Sequence, residues 1–175
     1  MDHHPENEAK LEHPVAAQKA NVFDEEAWDE LKCHTIPEPP LLGFLQMCAD
    51  RRFHRCIQER FQLDAGLGTP EDYWIHADAG GTPRMADQTL APNYCYFDKK
   101  VRKMGWSAHG DKCGGWPGVP DDEIRKKLIE TMRKKVLDYP LARHFIYFAT
   151  TKTEKGAEEL VLYCLTYDTA SDQAE

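Results

Sequence analysis

The chain has 175 residues, of which 41% are hydrophobic and 30% charged, a composition that fits one folded domain with an appendage and excludes a largely disordered chain. The formal net charge is −8, and the body after residue 40 is almost neutral, which argues against a nucleic-acid binder with a basic face. No apolar run reaches the ~18 residues of a membrane-spanning helix, and the acidic, polar start argues against a secretory signal or an Arg-rich transit peptide. We therefore expect a cytoplasmic protein that binds neither nucleic acid nor a membrane.

Residues 1–40 are predicted to form an acidic N-terminal segment, because they carry ten acidic and only three basic residues. Within it, residues 23–33 have the pattern of a short amphipathic helix with acidic residues at its start. Prolines at positions 37, 39 and 40 interrupt the chain, and we place the domain boundary there. The folded domain is expected over residues 41–168, with a polar tail at 169–175.

Strands and helices are predicted to alternate along this domain. Short apolar runs predict strands at 41–48, 73–76, 104–109, 144–150 and 159–167. Helical spacing of apolar residues predicts helices at 52–62 and 121–138, and residues 93–103 are also expected to be helical. This order predicts an α/β sheet flanked by helices, mostly parallel and with an antiparallel last strand.

Two groups of chemically active residues follow two of these strands. Cys48, Asp50 and Arg52 lie where the first strand ends, and His109 and Cys113 lie just beyond the third. Because the carboxyl ends of parallel strands open on the same edge of a sheet, we expect the two groups to converge. Two thiolates and one imidazole with an open fourth position are typical of catalytic zinc, whereas a fourth protein ligand closes a structural site.

Asp50 and Arg52 are predicted to be the catalytic pair beside Cys48, His109 and Cys113. A carboxylate next to a zinc-bound water accepts its hydrogen bond, and an arginine paired with that carboxylate keeps it ionised and oriented. Zinc lowers the pKa of such a water to about 7, which supplies hydroxide at neutral pH.

Each of these residues also has a purely structural interpretation. Cys48 fits a buried core thiol, Asp50 the N-cap of the following helix, and Arg52 a surface residue. His109 alone fits an ordinary core or loop histidine. Cys113 is harder to explain this way because a glycine-rich loop buries little, and the coincidence of all five residues at two strand ends favours zinc.

Three ordered motifs resemble those of the β-class carbonic anhydrases: Cys-x-Asp-x-Arg from Cys48, Ala-Gly-Gly from Ala79, and His…Cys-Gly from His109. The resemblance covers residues 41–168. It implies a carbonic-anhydrase-like sheet, zinc held by Cys48, His109 and Cys113, and reversible hydration of carbon dioxide to bicarbonate by zinc-bound hydroxide. It also implies a homodimer or higher assembly, with the helix at 23–33 as an arm on the partner subunit.

Two departures from the family pattern concern the site. The spacing from His109 to Cys113 is one residue longer than usual, and we expect Gly110, Gly114 and Gly115 to absorb the extra residue with positive φ, while Asp111 becomes an alternative ligand. His76 and Asp78 occupy a segment where the family has an Arg-Asn pair. We interpret both as surface groups, with a pocket or proton-relay role as the alternative.

The sequence leaves the reaction open between related functions. The same site would suit carbonyl sulfide or carbon disulfide, since specificity depends on pocket shape. A fourth ligand from Asp50 or Asp111 would instead give a non-catalytic, zinc-stabilised or redox-responsive binding protein. Phe53, Trp106 and Trp116 are predicted to line the pocket. The remaining cysteines of the domain are predicted to be core residues: Cys56, Cys95 and Cys164.

Overall fold

The computed structural model describes residues 40–154 and 156–168. It has five strands: β1 (Gly43–Cys48), β2 (Tyr73–Asp78), β3 (Lys103–His109), β4 (Arg143–Glu154) and β5 (Ala157–Asp168). Its α-helices are α1 (His54–Ala65), α2 (Leu90–Asn93) and α3 (Asp121–Asp138). The predicted helix at 23–33 and the tail at 169–175 lie outside the described residues.

The five strands form one sheet in the order β2-β1-β3-β4-β5. β1 is parallel to both β2 and β3, β3 is parallel to β4, and only the β4–β5 hairpin is antiparallel. The predicted architecture, a mostly parallel sheet with an antiparallel last strand and flanking helices, is confirmed. All six residues of β1 are buried, as expected for a central strand covered on both faces.

The sheet separates two apolar cores, because successive side chains of a strand point to opposite faces. On one face, the apolar side of α1 packs against alternate residues of the central strands: Leu45, Met47, Ile57, Phe61 and Phe145. On the other face, α3 packs against the intervening residues: Phe44, Trp106, Ile124, Leu128 and Met132. Among the described residues, no helix is long and apolar enough to cross a membrane.

The helix predicted at 93–103 was placed too late in the chain. The structure begins this helix at Leu90, continues it as a π-helical turn over Tyr94–Asp98, and then breaks it at Lys100, whose φ is +59°. Val101, which lies inside the predicted helix, is instead a buried residue on the approach to β3. The predicted range therefore joined the end of a helix to the approach to a strand.

The prediction that Cys164 is a core residue was also wrong. β5 lies at the end of the strand order and most of its side chains are exposed, including Cys164. Its alternating apolar residues resemble those of a half-buried strand, which is why the sequence pattern suggested burial. Cys95 is fully buried as predicted, whereas Cys56 is only half-buried.

Candidate metal centre

Three predicted ligands meet at the carboxyl edge of the sheet. Cys48 is the last residue of β1, His109 is the last residue of the adjacent parallel strand β3, and Cys113 lies in the loop after it. The Sγ atoms of Cys48 and Cys113 are 3.8 Å apart, and His109 Nε2 is 3.1 Å from Cys48 Sγ. All three side chains are buried, and their donor atoms lie within 4.8 Å of one another, so the cluster can hold a metal ion.

Neighbouring groups fix the orientation of two ligands. His109 Nδ1 lies 2.6 Å from the Gly110 carbonyl oxygen, so Nδ1 is protonated and donates a hydrogen bond to that oxygen. The other ring nitrogen, Nε2, therefore points at Cys48. The ring of Phe53 stacks on the imidazole at a centroid distance of 4.5 Å. The Gly80 backbone N–H donates to Cys48 Sγ at 3.3 Å.

In the absence of a metal, the pKa values of the two thiols are shifted in opposite directions. Burial opposes ionisation of Cys48, but its hydrogen bond with His109 and those from backbone N–H groups outweigh burial and lower its pKa to about 7. Burial, together with the neighbouring Cys48 sulfur, raises the pKa of Cys113 to about 11. One ligand is therefore ready to ionise near neutral pH, and a cation has to displace the proton from the other.

Asp50 and Arg52 form the predicted pair next to this cluster. The Asp50 carboxylate accepts from Arg52 Nε at 3.1 Å and from Arg52 Nη2 at 2.7 Å, and these hydrogen bonds hold its pKa below the usual value. It also accepts from the Arg52 backbone N–H, so Asp50 caps the 3-10 turn Arg51–Phe53. The N-cap interpretation and the ion-pair interpretation therefore both hold. Asp50 Oδ2 lies 3.7 Å from His109 Nε2, at the edge of the candidate metal centre.

The loop that carries Cys113 differs from the expected one. The left-handed residues are Asp111 and Lys112, with φ of +48° and +57°, and not the three glycines. Two of those glycines are needed for space. A Cβ on Gly110 would come within 2.1 Å of the Asp121 carboxyl, and one on Gly115 within 2.3 Å of the Gly80 nitrogen.

Asp111 is not placed as a fourth ligand. Its carboxylate accepts from Arg52 Nη1 at 2.9 Å, and its carbonyl oxygen accepts from Arg52 Nη2 at 2.9 Å. Arg52 therefore bridges two carboxylates, Asp50 and Asp111. Sequence reasoning missed this contact because it depends on the conformation of a loop, which residue spacing does not reveal.

The Ala-Gly-Gly segment lies directly beside the cluster. Gly80 and Gly81 have φ of +88° and +66°, and a Cβ on Gly81 would come within 2.5 Å of the Ser107 carbonyl oxygen. Trp116 Nε1–H donates to the Gly80 carbonyl at 2.9 Å, so this predicted pocket residue holds the turn that contacts Cys48.

The other predicted pocket residues have different surroundings. Trp106 is fully buried, stacks on Tyr139 and donates to His144, which makes it a core residue next to α3. Asp78 is exposed and caps the Ala79 backbone N–H, in line with its interpretation as a surface group. His76 is only partly exposed, and its Nδ1 lies 3.2 Å from Gln46 Nε2.

No protein-family model matches the chain, and no curated protein is similar enough to count as a match. Two thiols, one imidazole and an arginine-bound carboxylate meet at one edge of the sheet. That arrangement can bind a cation and place an ionised carboxylate beside it.

Proposed function

We propose that the protein is a zinc-dependent lyase that hydrates carbon dioxide reversibly to bicarbonate, as the β-class carbonic anhydrases do, with a sheet of the same kind. The observation that carries the proposal is the meeting of Cys48, His109 and Cys113 next to a carboxylate, Asp50, that Arg52 holds. The proposal is also supported by the places of Cys48 and His109 at the ends of the adjacent strands β1 and β3.

Zinc fits the donor set of the cluster. Two thiolates and one imidazole are preferred zinc ligands, and two sulfurs each about 2.3 Å from a tetrahedral zinc lie about 3.8 Å apart. The Sγ atoms of Cys48 and Cys113 are separated by 3.8 Å. When bound, zinc would supply the Lewis acidity that turns water into hydroxide near neutral pH. Among the described residues, three have donor atoms in this cluster. A tetrahedral ion bound by three protein ligands has one position left for water.

The residues around the cluster then have separate roles. Asp50 accepts the hydrogen bond of the attacking water or hydroxide, which orients a lone pair towards the carbon of the substrate. Arg52 keeps Asp50 ionised and stationary through its two-pronged ion pair. Phe53, which is buried against the His109 ring, keeps water off one face of the imidazole.

The test is stopped-flow carbon dioxide hydration by the full-length, zinc-loaded protein at alkaline pH. We expect a zinc-dependent rate that is lost in Cys48→Ser and kept in Cys164→Ser, which changes an exposed thiol outside the cluster. Absence of turnover in a protein with zinc confirmed at Cys48, His109 and Cys113 would contradict the proposal. Turnover of carbonyl sulfide or carbon disulfide without turnover of carbon dioxide would reassign the substrate.

A further inference from the structure

We infer that Asp111 is a specificity-determining residue that disfavours anions at the candidate metal centre. The inference rests on the proposed function and concerns the residue that lies in the lengthened loop between His109 and Cys113. Its basis is the bridge from Arg52 to two carboxylates, which changes the net charge beside the cluster from zero to negative.

The guanidinium of Arg52 is occupied by its two partners. Its Nε and Nη2 groups donate to Asp50 at 2.7–3.2 Å. Nη1 donates to the Asp111 carboxylate, and Nη2 also donates to the Asp111 carbonyl. Most of the donors that an arginine offers to an anionic ligand are therefore already used within the protein.

The position of Asp111 is set by the fold around it. Its backbone is left-handed, a conformation that aspartate tolerates better than most residues. Its N–H donates to Asp121 Oδ1 at 3.0 Å, and Asp121, the first residue of α3, also accepts from the Thr150 hydroxyl of β4. The contact with Arg52 thus joins the ligand loop to α3 and β4.

The charges around the cluster discriminate between neutral molecules and anions. Two thiolates balance a divalent zinc ion, and the charges hydrogen-bonded together beside the cluster are those of Asp50, Arg52 and Asp111, whereas the neighbouring Lys112 is exposed to solvent. Two carboxylates against one guanidinium leave one negative charge, and Asp121 adds another carboxylate behind Asp111. Neutral carbon dioxide is unaffected by this field to first order, whereas small anions near the cluster, the product bicarbonate among them, are repelled.

The experiment measures azide binding to the full-length protein loaded with cobalt(II), followed by the visible absorption of the metal. We expect Asp111→Asn, which keeps the size of the side chain and an oxygen acceptor for Arg52, to bind azide about threefold more tightly or better. The matched control is Asp122→Asn, which removes an exposed carboxylate of α3 paired with Arg125, and its azide affinity should equal that of the native protein. The Asp122→Asn control should also hydrate carbon dioxide at the native rate, because its exposed carboxylate pairs with Arg125 and has no contact with Arg52.

Several outcomes overturn the inference. Equal azide affinity in Asp111→Asn and the native protein would show that its charge does not reach the site. Loss of cobalt affinity in Asp111→Asn comparable to that in Cys113→Ser would show a structural role instead. Both results leave the proposed function intact. If azide changes the cobalt spectrum of neither the native protein nor Asp111→Asn, the metal has no open position. That result would contradict the proposed function as well.

Discussion

The role proposed for Asp50 depends on how Arg52 holds its carboxylate. We predict that Arg52→Ala lowers kcat for carbon dioxide hydration about 10- to 100-fold while zinc content stays at the native level, because the arginine orients the carboxylate and ligates nothing. Arg52→Lys should recover only part of the rate, since an ammonium cannot form the two-pronged contact. Stopped-flow rates and metal analysis on the same samples check this. Full activity in Arg52→Ala would remove the pair from the mechanism.

A second residue-scale prediction concerns His144, which is completely buried. Its Nδ1 accepts from Trp106 Nε1–H and its Nε2–H donates to the Tyr139 carbonyl, so the ring is neutral, and burial lowers its pKa. The unfolded chain binds a proton at about pH 6.5, where the folded protein does not, so His144 makes stability fall as the pH drops below about 6.5. The slope from this one group is at most about 1.4 kcal/mol per pH unit.

Urea unfolding at a series of pH values between 7.5 and 5.5 measures this slope. We expect His144→Gln to have a shallower loss of stability towards acid pH than the native protein, whatever its stability at pH 7.5. Identical slopes in the native protein and His144→Gln would show that His144 does not resist protonation in the folded state.

At the scale of elements, the packing of α1 on the sheet depends on Gly105 of β3. A Cβ at this position would come within 2.7 Å of Leu45 and 2.9 Å of Phe61, both fully buried. We predict that Gly105→Ala lowers the free energy of unfolding by about 1–3 kcal/mol, the usual effect of overpacking a core. Gly114→Ala is the control, because a Cβ there meets no atom within 4 Å and the residue has no positive φ. Equal urea midpoints for the two variants would contradict this view of the α1 contact.

The elements also show why the sequence predicted some features and missed others. β1 and β3 are short apolar runs and α3 has a clear helical period, and the adjacency of β1 and β3 in a parallel sheet is enough to bring Cys48 and His109 together. The helix predicted at 93–103 failed because apolar spacing does not reveal a π-helical turn or the left-handed Lys100 that follows it. The contact between Arg52 and Asp111 could not be predicted, since it depends on two left-handed residues in a loop where glycines were the expected choice.

At the scale of the whole molecule, we propose a homodimer that uses the β5 side of the sheet. β5 has twelve residues, lies at the end of the strand order, and exposes Leu160, Leu165 and Tyr167. Next to it, Leu165 and Tyr167 line an apolar groove together with Val136 and Leu137 of α3. A long edge strand beside an exposed apolar groove favours association, and a second copy offers the same surface in return.

We predict a native mass of twice the 20.1 kDa chain by light scattering, and a shift towards the single-chain mass in Leu165→Arg. The control is Leu63→Arg, which places the same charge at an exposed leucine of α1. A single-chain mass for the native protein would contradict the dimer. A dimer that survives Leu165→Arg would place the contact elsewhere.

The central claim is that Cys48, His109 and Cys113 hold one zinc ion and leave a position open. The most direct measurement is zinc K-edge X-ray absorption on the purified full-length protein, with metal stoichiometry determined on the same sample. We expect one zinc per chain, with two sulfur ligands at about 2.3 Å and two nitrogen or oxygen ligands at about 2.0–2.2 Å, and one fewer sulfur in Cys113→Ser. A protein that retains no zinc, or a zinc whose sulfur shell is the same in Cys113→Ser, would contradict it.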